Sequence, residues 1–173
     1  MIMEDKVRML LSRMMALCSK REYCEADIRR KLSAALEAET GIAADAASVL
    51  RSADMIVDTL KREKFLDDAR YAKAFARDKS GISGWGRLKI RHALAAKGID
   101  REVIAEALED MDQEKGLMKL EKTMLAKAAS LKGDPQRKFK LLRFALGRGY
   151  EYGEIRGLTD SVLRASDAAE EED

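Results

Sequence analysis

Basic side chains recur at helical spacing in the middle of this chain and are its clearest candidates for binding chemistry. Arg70, Lys73 and Arg77 are separated by three and four residues, which places side chains on one face of an α-helix. Such a row binds phosphates or the carboxylates of an acidic partner. An ordinary solvated helix face is the other interpretation, and Arg70 has the alternative of pairing with Asp67 or Asp68.

A denser basic cluster surrounds the segment Gly84-Trp85-Gly86. Its members are Arg87, Lys89, Arg91 and Lys97. Backbone amides at a helix start, combined with arginines, form a site for phosphate or carboxylate. The segment lacks the third glycine of a dinucleotide fingerprint, and no Gly-Lys-Ser/Thr follows it as in a Walker motif. Trp85 has two possible roles, stacking on a base or anchoring the loop to the core.

A third basic cluster follows Gly133-Asp134-Pro135 near the end of the chain. It contains Arg137, Lys138, Lys140, Arg143 and Arg148. If the helices form repeated units that stack in register, this cluster and the preceding one lie along a common groove. That arrangement predicts contact with a filament or a nucleic acid.

Catalytic and metal chemistry find little support in the residues. His92 is the only histidine, and Cys18 and Cys24 are the only cysteines, too few to assemble a four-ligand zinc site. The expectation is a non-enzyme without cofactor or metal, whose two thiols are reduced and lie in or beside the core. Helix capping explains Asp67 and Asp68 more economically than a metal site does.

Opposite charges are segregated along the chain although the net charge is only +2. Residues 61–98 hold eleven Lys/Arg against four Asp/Glu, a net of +7, and 115–148 hold ten against two, a net of +8. Residues 99–114 and 151–173 each carry a net of −6. Alternating blocks of this size create local fields that attract charged partners. They also allow a scaffold that self-associates.

Composition and periodicity predict an all-α protein. A single proline among 173 residues favours long helices, because proline breaks helix interiors. No apolar run approaches the ~20 residues that a membrane-spanning helix needs, and Met1 to Arg13 lack the apolar core of a signal peptide. The expected location is cytoplasmic, with no membrane contact.

Apolar residues at helical spacing divide the chain into three units of three short helices. The predicted units are 1–66, 67–114 and 115–164, followed by an acidic, disordered tail at 165–173 that is solubilising or, alternatively, mimics phosphate.

Cap and break residues mark the predicted helix ends. Asp67, Asp100 and Asp134 are the expected N-caps, and Pro135 the first residue of the helix after Asp134. Cys24 stands at a cap position with a poor capping side chain. Residues 38–45 read as a loop around Gly41 or, alternatively, the alanines of this segment extend either neighbouring helix.

The motifs of the first two units resemble the RecX family, bacterial regulators of the RecA recombinase. The match is most specific over Phe65 to Ile99, with Leu66-Asp67-Asp68, Arg70-Tyr71-Ala72 and Lys97-Gly98-Ile99. Together with the opening unit it covers most of residues 10 to 110. The chain departs from the family pattern in two places. The segment between Leu32 and Leu60 is longer, and a cysteine, Cys24, stands at the first cap.

The resemblance implies tandem three-helix units in an elongated, curved array. It also implies a regulator that binds the RecA nucleoprotein filament and inhibits its ATPase, strand-exchange and coprotease activities. We expect the protein to act as a monomer, and direct contact with single-stranded DNA is left open. The alternative from the residues alone is a general helical DNA- or RNA-binding protein without a recombinase partner.

Overall fold

The protein is all-helical throughout the part of the chain that the structure describes. The computed structural model describes residues 2–40 and 46–171, and these form nine α-helices and no strand. The helices are α1 Ile2–Cys18, α2 Glu25–Thr40, α3 Ala46–Arg62, α4 Asp68–Gly81, α5 Arg87–Ala95, α6 Arg101–Glu109, α7 Gln113–Ser130, α8 Arg137–Gly147 and α9 Tyr152–Glu171. The predicted all-α class is confirmed.

The repeat is clearest in the second helix of each group of three. Each of these helices buries two apolar side chains four residues apart, because that spacing returns to the same face of an α-helix. Around each pair the other two helices of the group complete a separate hydrophobic core. The fully buried pairs are Ile28 and Leu32, Ile90 and Leu94, and Leu141 and Ala145. The boundaries of the three units as domains stay a prediction.

The predicted caps differ in outcome. Asp67 caps α4, since its carboxylate accepts a hydrogen bond from the Arg70 N–H at 2.9 Å. Asp100 occupies the cap position of α6, but its side chain makes no capping bond there. The helix predicted to begin at Pro135 begins at Arg137 instead. The carboxylate of Asp134 accepts from the Gln136 N–H at 2.8 Å and so closes a turn before the helix.

The predicted disordered tail is wrong over residues 165–171, which belong to α9. The helix is held at this end by Arg137 of α8, which donates to Asp167 and to the Ser166 hydroxyl, each at 2.6 Å. The predicted loop at 38–45 is also shorter at its start, because α2 continues to Thr40. Gly41 and the rest of that loop lie outside the described residues, as does the end of the tail.

Cys24 joins the first two units, and its sulfur also accepts a hydrogen bond from the Asp27 N–H at the start of α2. Its side chain is fully buried in the hydrophobic core of the second unit. The cap comes from that unit as well, since the Asp68 carboxylate accepts from the Glu25 N–H at 2.8 Å. A small apolar thiol at this position therefore fills the neighbouring core, and an aspartate 44 positions later supplies a second acceptor for the start of α2.

Ion pairs complete this first junction. Glu22 pairs with Arg70 at 2.6 Å, and Asp27 pairs with Lys97 at 2.7 Å. Burial alone would raise the pKa of Asp27, but the hydrogen bonds from Lys97 and Cys24 and the charges of Lys97 and Arg30 together outweigh burial and lower that pKa below its ordinary value. Side chains thus supply the polar bonds of the first junction.

The second junction, between the second and third units, is made by the backbone. The N–H groups of Gly86 and Leu88 at the start of α5 donate to the carbonyls of Arg148 and Gly149 at 2.8 and 3.2 Å. A Cβ on Gly86 would overlap the Gly149 carbonyl, and a Cβ on Gly149 would overlap the backbone of Lys89. Only glycines allow the two chains to approach this closely.

We expect Gly149→Ala to destabilise the protein by at least about 2 kcal/mol, because Gly149 has a φ of +89° and no space for a Cβ. The free energy of unfolding in urea, followed by circular dichroism, measures the effect. Gly157→Ala is the control, since Gly157 lies in α9 with open space around it. It should stabilise the protein by about 0.5–1 kcal/mol, and equal effects of the two substitutions would contradict the tight junction.

We expect Asp27→Asn to cost about 1 kcal/mol of unfolding free energy at neutral pH and progressively less as the pH falls below the ordinary carboxyl range. The lowered pKa of Asp27 means that folding favours its carboxylate, so the stabilisation is present above the ordinary carboxyl range and is lost as the pH falls through the lowered value. Urea titrations of both proteins across this range give the difference. Asp58→Asn on the exposed surface of α3 is the control, and a difference for Asp27→Asn that does not change with pH would count against the ion pair.

Candidate partner-binding surface

The basic row predicted on α4 lies on one helix, but its members have different surroundings. Arg70 is bound to Glu22 at 2.6 Å and donates to the Lys64 carbonyl at 3.2 Å, while Asp67 is 4.0 Å away. The hydrogen bond to Glu22 raises the pKa of Arg70 above its ordinary value. Arg70 therefore has the structural role that the sequence offered as an alternative, and its main partner is Glu22.

The other two members of the row face solvent. Lys73 pairs with Asp110 at 2.7 Å, which raises the pKa of its ammonium group. The side chain of Arg77 is 74% exposed and only loosely paired, with its Nε 3.6 Å from Asp78. Arg77 is consequently the member most available to a partner.

A groove at the boundary of the first two units combines cations with aromatic rings. We call it the basic–aromatic groove; its volume is about 630 Å³, and its defining residues are Arg21, Tyr23, Phe75, Arg77, Lys79 and Lys97. The guanidinium of Arg21 lies 4.5 Å from the ring centre of Tyr23, and the ammonium of Lys79 lies 5.5 Å from that of Phe75. The rings hold these cations at fixed positions by cation–π attraction.

The charge of the groove is basic after its internal pairs are taken into account. Three carboxylates also line it, those of Glu22, Asp27 and Asp78. Glu22 is taken by Arg70 and Asp27 by Lys97. Asp78 lies 3.6 Å from Arg77, so Arg21 and Lys79, together with the loosely paired Arg77, remain to attract an anionic partner.

Arg21 and Lys79 were missed by the sequence reasoning. Arg21 lies two residues before Tyr23, and Lys79 lies four residues after Phe75. Spacing of a cation four residues from an aromatic ring on a helix was the available signal for Lys79. No such signal existed for Arg21, whose neighbours across the groove come from α4.

The anion site predicted at Gly84-Trp85-Gly86 loses part of its backbone donors to the fold. The amides of Gly86 and Leu88 already donate to the carbonyls of Arg148 and Gly149, so these two cannot bind a phosphate. Trp85 packs edge-on against Phe75 with ring centres 6.3 Å apart, and the ammonium groups of Lys79 and Lys89 lie over its ring. This arrangement is the anchor, one of the two roles considered for the tryptophan.

The cluster around α5 is divided between structure and surface. Arg87 donates to the Leu108 carbonyl at 2.9 Å, and Lys89 donates to the Gly147 carbonyl at 3.2 Å. Lys97 is half-buried in the first junction. Arg91 is exposed at the edge of a second cleft, between α5 and α6.

The third cluster is mostly engaged in holding the third unit together. Arg137 is only 15% exposed and binds α9 and the Ala128 carbonyl. Lys138 pairs with Asp160 at 2.6 Å, Lys140 pairs with Asp134, and Arg148 donates to the Ser83 carbonyl. Arg143 stays exposed on α8, 5.9 Å from the ring centre of Phe139. The structure does not gather the five into one binding site.

The described residues contain neither a metal-binding cluster nor a membrane-spanning helix. Among them no group of three or more His, Cys, Asp or Glu side chains is placed to hold a metal ion. No helix in this part of the chain is both long and apolar enough to span a membrane.

Known proteins resemble this chain in sequence and in fold. A family model described as "RecX, second three-helix domain" matches residues 67–108. The regulatory protein RecX of Pectobacterium atrosepticum is 30% identical over 156 residues, which cover 83% of this chain and 91% of that protein. The regulatory protein RecX of Chromohalobacter salexigens is 31% identical over 141 residues, covering 81% and 84%.

Two solved structures share the fold. A crystal structure of regulatory protein RecX superposes with a TM-score of 0.72 and 23% identity, covering 91% of this chain and 73% of that one. RecX from Lactobacillus salivarius superposes with a TM-score of 0.64 and 17% identity, covering 95% and 99%. The identity to a full-length relative, the matched second unit and the shared helical array lead to one conclusion: this chain belongs to the RecX family of regulatory proteins.

Proposed function

We propose that this protein binds the nucleoprotein filament of the RecA recombinase and inhibits its ATPase, strand-exchange and coprotease activities. The observation that carries the proposal is the basic–aromatic groove, in which Arg21, Arg77 and Lys79 remain available after the junction ion pairs have formed. A filament of protein on DNA offers both carboxylates and phosphates to such a surface.

The arrangement of the units supports action by binding rather than by catalysis. Units joined at two junctions form an extended ligand that, acting as a monomer, contacts more than one protomer of a filament. A ligand that binds one filament state more tightly than another shifts the filament towards that state. Stabilising a state that hydrolyses ATP slowly accounts for inhibition without any chemistry in the regulator.

Direct binding of nucleic acid without a recombinase is the second candidate function. It is favoured by the same observation, because cations held over aromatic rings suit the phosphates of a single strand. The rings themselves are covered by Arg21, Lys79 and Lys97, so electrostatic attraction would dominate over base stacking. Binding of this kind depends steeply on salt.

We expect substoichiometric amounts of the protein to lower the single-stranded-DNA-dependent ATPase of the cognate RecA. Arg21→Glu combined with Arg77→Glu should raise the concentration needed for half-inhibition at least about tenfold, or ~1.4 kcal/mol. The matched control is Lys122→Glu with Lys127→Glu on the exposed surface of α7, which changes the net charge equally. No inhibition by the unmodified protein, or equal losses in both double variants, would argue against the proposal.

The contribution of DNA can be measured separately on bare oligo(dT). If the groove contacts phosphates, Arg21→Gln with Arg77→Gln should reduce the slope of log K against log salt by about 1.4, since each phosphate contact on a single strand contributes about 0.7. Fluorescence anisotropy over a series of salt concentrations gives the slope. An unchanged slope, together with lost inhibition of the ATPase, would assign the groove to the protein component of the filament.

A further inference from the structure

A second cleft, separate from the basic–aromatic groove, lies between α5 and α6. Its volume is about 620 Å³. Two small exposed residues, Ala95 on α5 and Ala105 on α6, leave the space between the helices open, and its floor is made by Ile99, Ile104 and Leu108. The cleft therefore has an apolar interior that can accept one bulky side chain.

The rim of this cleft is basic. Arg87, Arg91 and Arg101 line it, with Glu109 as the one carboxylate. Arg87 is fixed by its hydrogen bond to the Leu108 carbonyl. Arg91 and Arg101 are exposed and form no ion pair with any residue that the structure describes. By contrast, Arg70, Lys97 and Arg137 each form an ion pair within the protein.

The cleft and the groove have no lining residue in common among those that the structure describes. Arg87, Arg91 and Ala95 are spaced by four residues and lie along the side of α5 that lines the cleft. No residue of α5, which the structure describes in full, lines the groove. A partner in the cleft leaves the groove accessible.

We propose that the α5–α6 cleft is a docking site for an acidic peptide segment of a protein partner. In this site an apolar side chain of the segment enters between Ala95 and Ala105, while flanking carboxylates pair with Arg91 and Arg101. Guanidinium groups bind carboxylates through two parallel hydrogen bonds. The basic rim selects acidic residues in the segment, and the apolar floor selects an apolar side chain between them.

The observations favour a peptide over a nucleic acid. None of the described residues that line the cleft is aromatic, so bases find no stacking surface. A phosphate backbone gains nothing from the apolar floor, whereas an apolar side chain buried there contributes about 1.5–3 kcal/mol. The proposal rests on this geometry alone and holds whether or not the protein inhibits RecA.

The test uses the full-length protein and fluorescein-labelled synthetic peptides in which glutamates flank a leucine, isoleucine or phenylalanine. Anisotropy at physiological salt should show saturable binding of at least one peptide. Arg91→Glu with Arg101→Glu should weaken that binding at least about tenfold. Ala105→Trp, which fills the cleft and leaves the charge unchanged, should weaken it as well.

The controls separate the site from general electrostatic attraction. Lys122→Glu with Lys127→Glu changes the net charge as much as the double arginine variant and should leave peptide binding unchanged. Peptides with serine in place of the apolar residue, or glutamine in place of glutamate, should bind much more weakly. The proposal is overturned if none of the apolar peptides binds at millimolar concentration, if the serine peptides bind equally well, or if oligo(dT) displaces the peptide.

Discussion

The close approach of two backbone segments, at Gly86 and at Gly149, is the constraint on which the arrangement of the second and third units depends. The first amides of α5 are satisfied by carbonyls that follow α8, so the start of one helix is completed by the neighbouring unit. Hydrogen bonds of this kind require backbone contact, and backbone contact requires that no Cβ stand between the chains. Trp85, Lys89 and Arg148 are then fixed around the same junction.

The first junction occupies a corresponding place in the repeat but is built differently. The start of α2 is capped by a carboxylate from the next unit, and Cys24 fills the neighbouring core. Around Gly98, the counterpart of Gly149, no atom lies within 4 Å of a built Cβ, and a cleft of about 300 Å³ separates the units there. The first unit is therefore attached by side chains, which respond to pH and salt more than backbone contacts do.

Contacts within the protein, including those at the two junctions, engage several of its basic residues, which are therefore not free to bind a partner. Arg70, Lys97 and Arg137 satisfy carboxylates and helix ends of neighbouring elements. Some of the accessible basic residues line two surfaces of different character. The basic–aromatic groove combines cations with aromatic rings, and the α5–α6 cleft has arginines around an apolar floor. The two proposals assign a different partner to each of these surfaces.

The sequence by itself determined the helical class, the grouping by threes and the cap at Asp67, because these depend on spacing and side-chain chemistry within a few residues. Composition alone predicted a disordered acidic tail, but most of that segment is helical, because Arg137 of α8 binds Asp167 of α9. Only the tertiary structure decided which cations bind the fold and which face solvent, since Glu22 and Arg70 are 48 positions apart and no local pattern pairs them. It likewise turned a glycine segment that resembles an anion site into a junction, because the carbonyls that occupy its amides come from a distant turn.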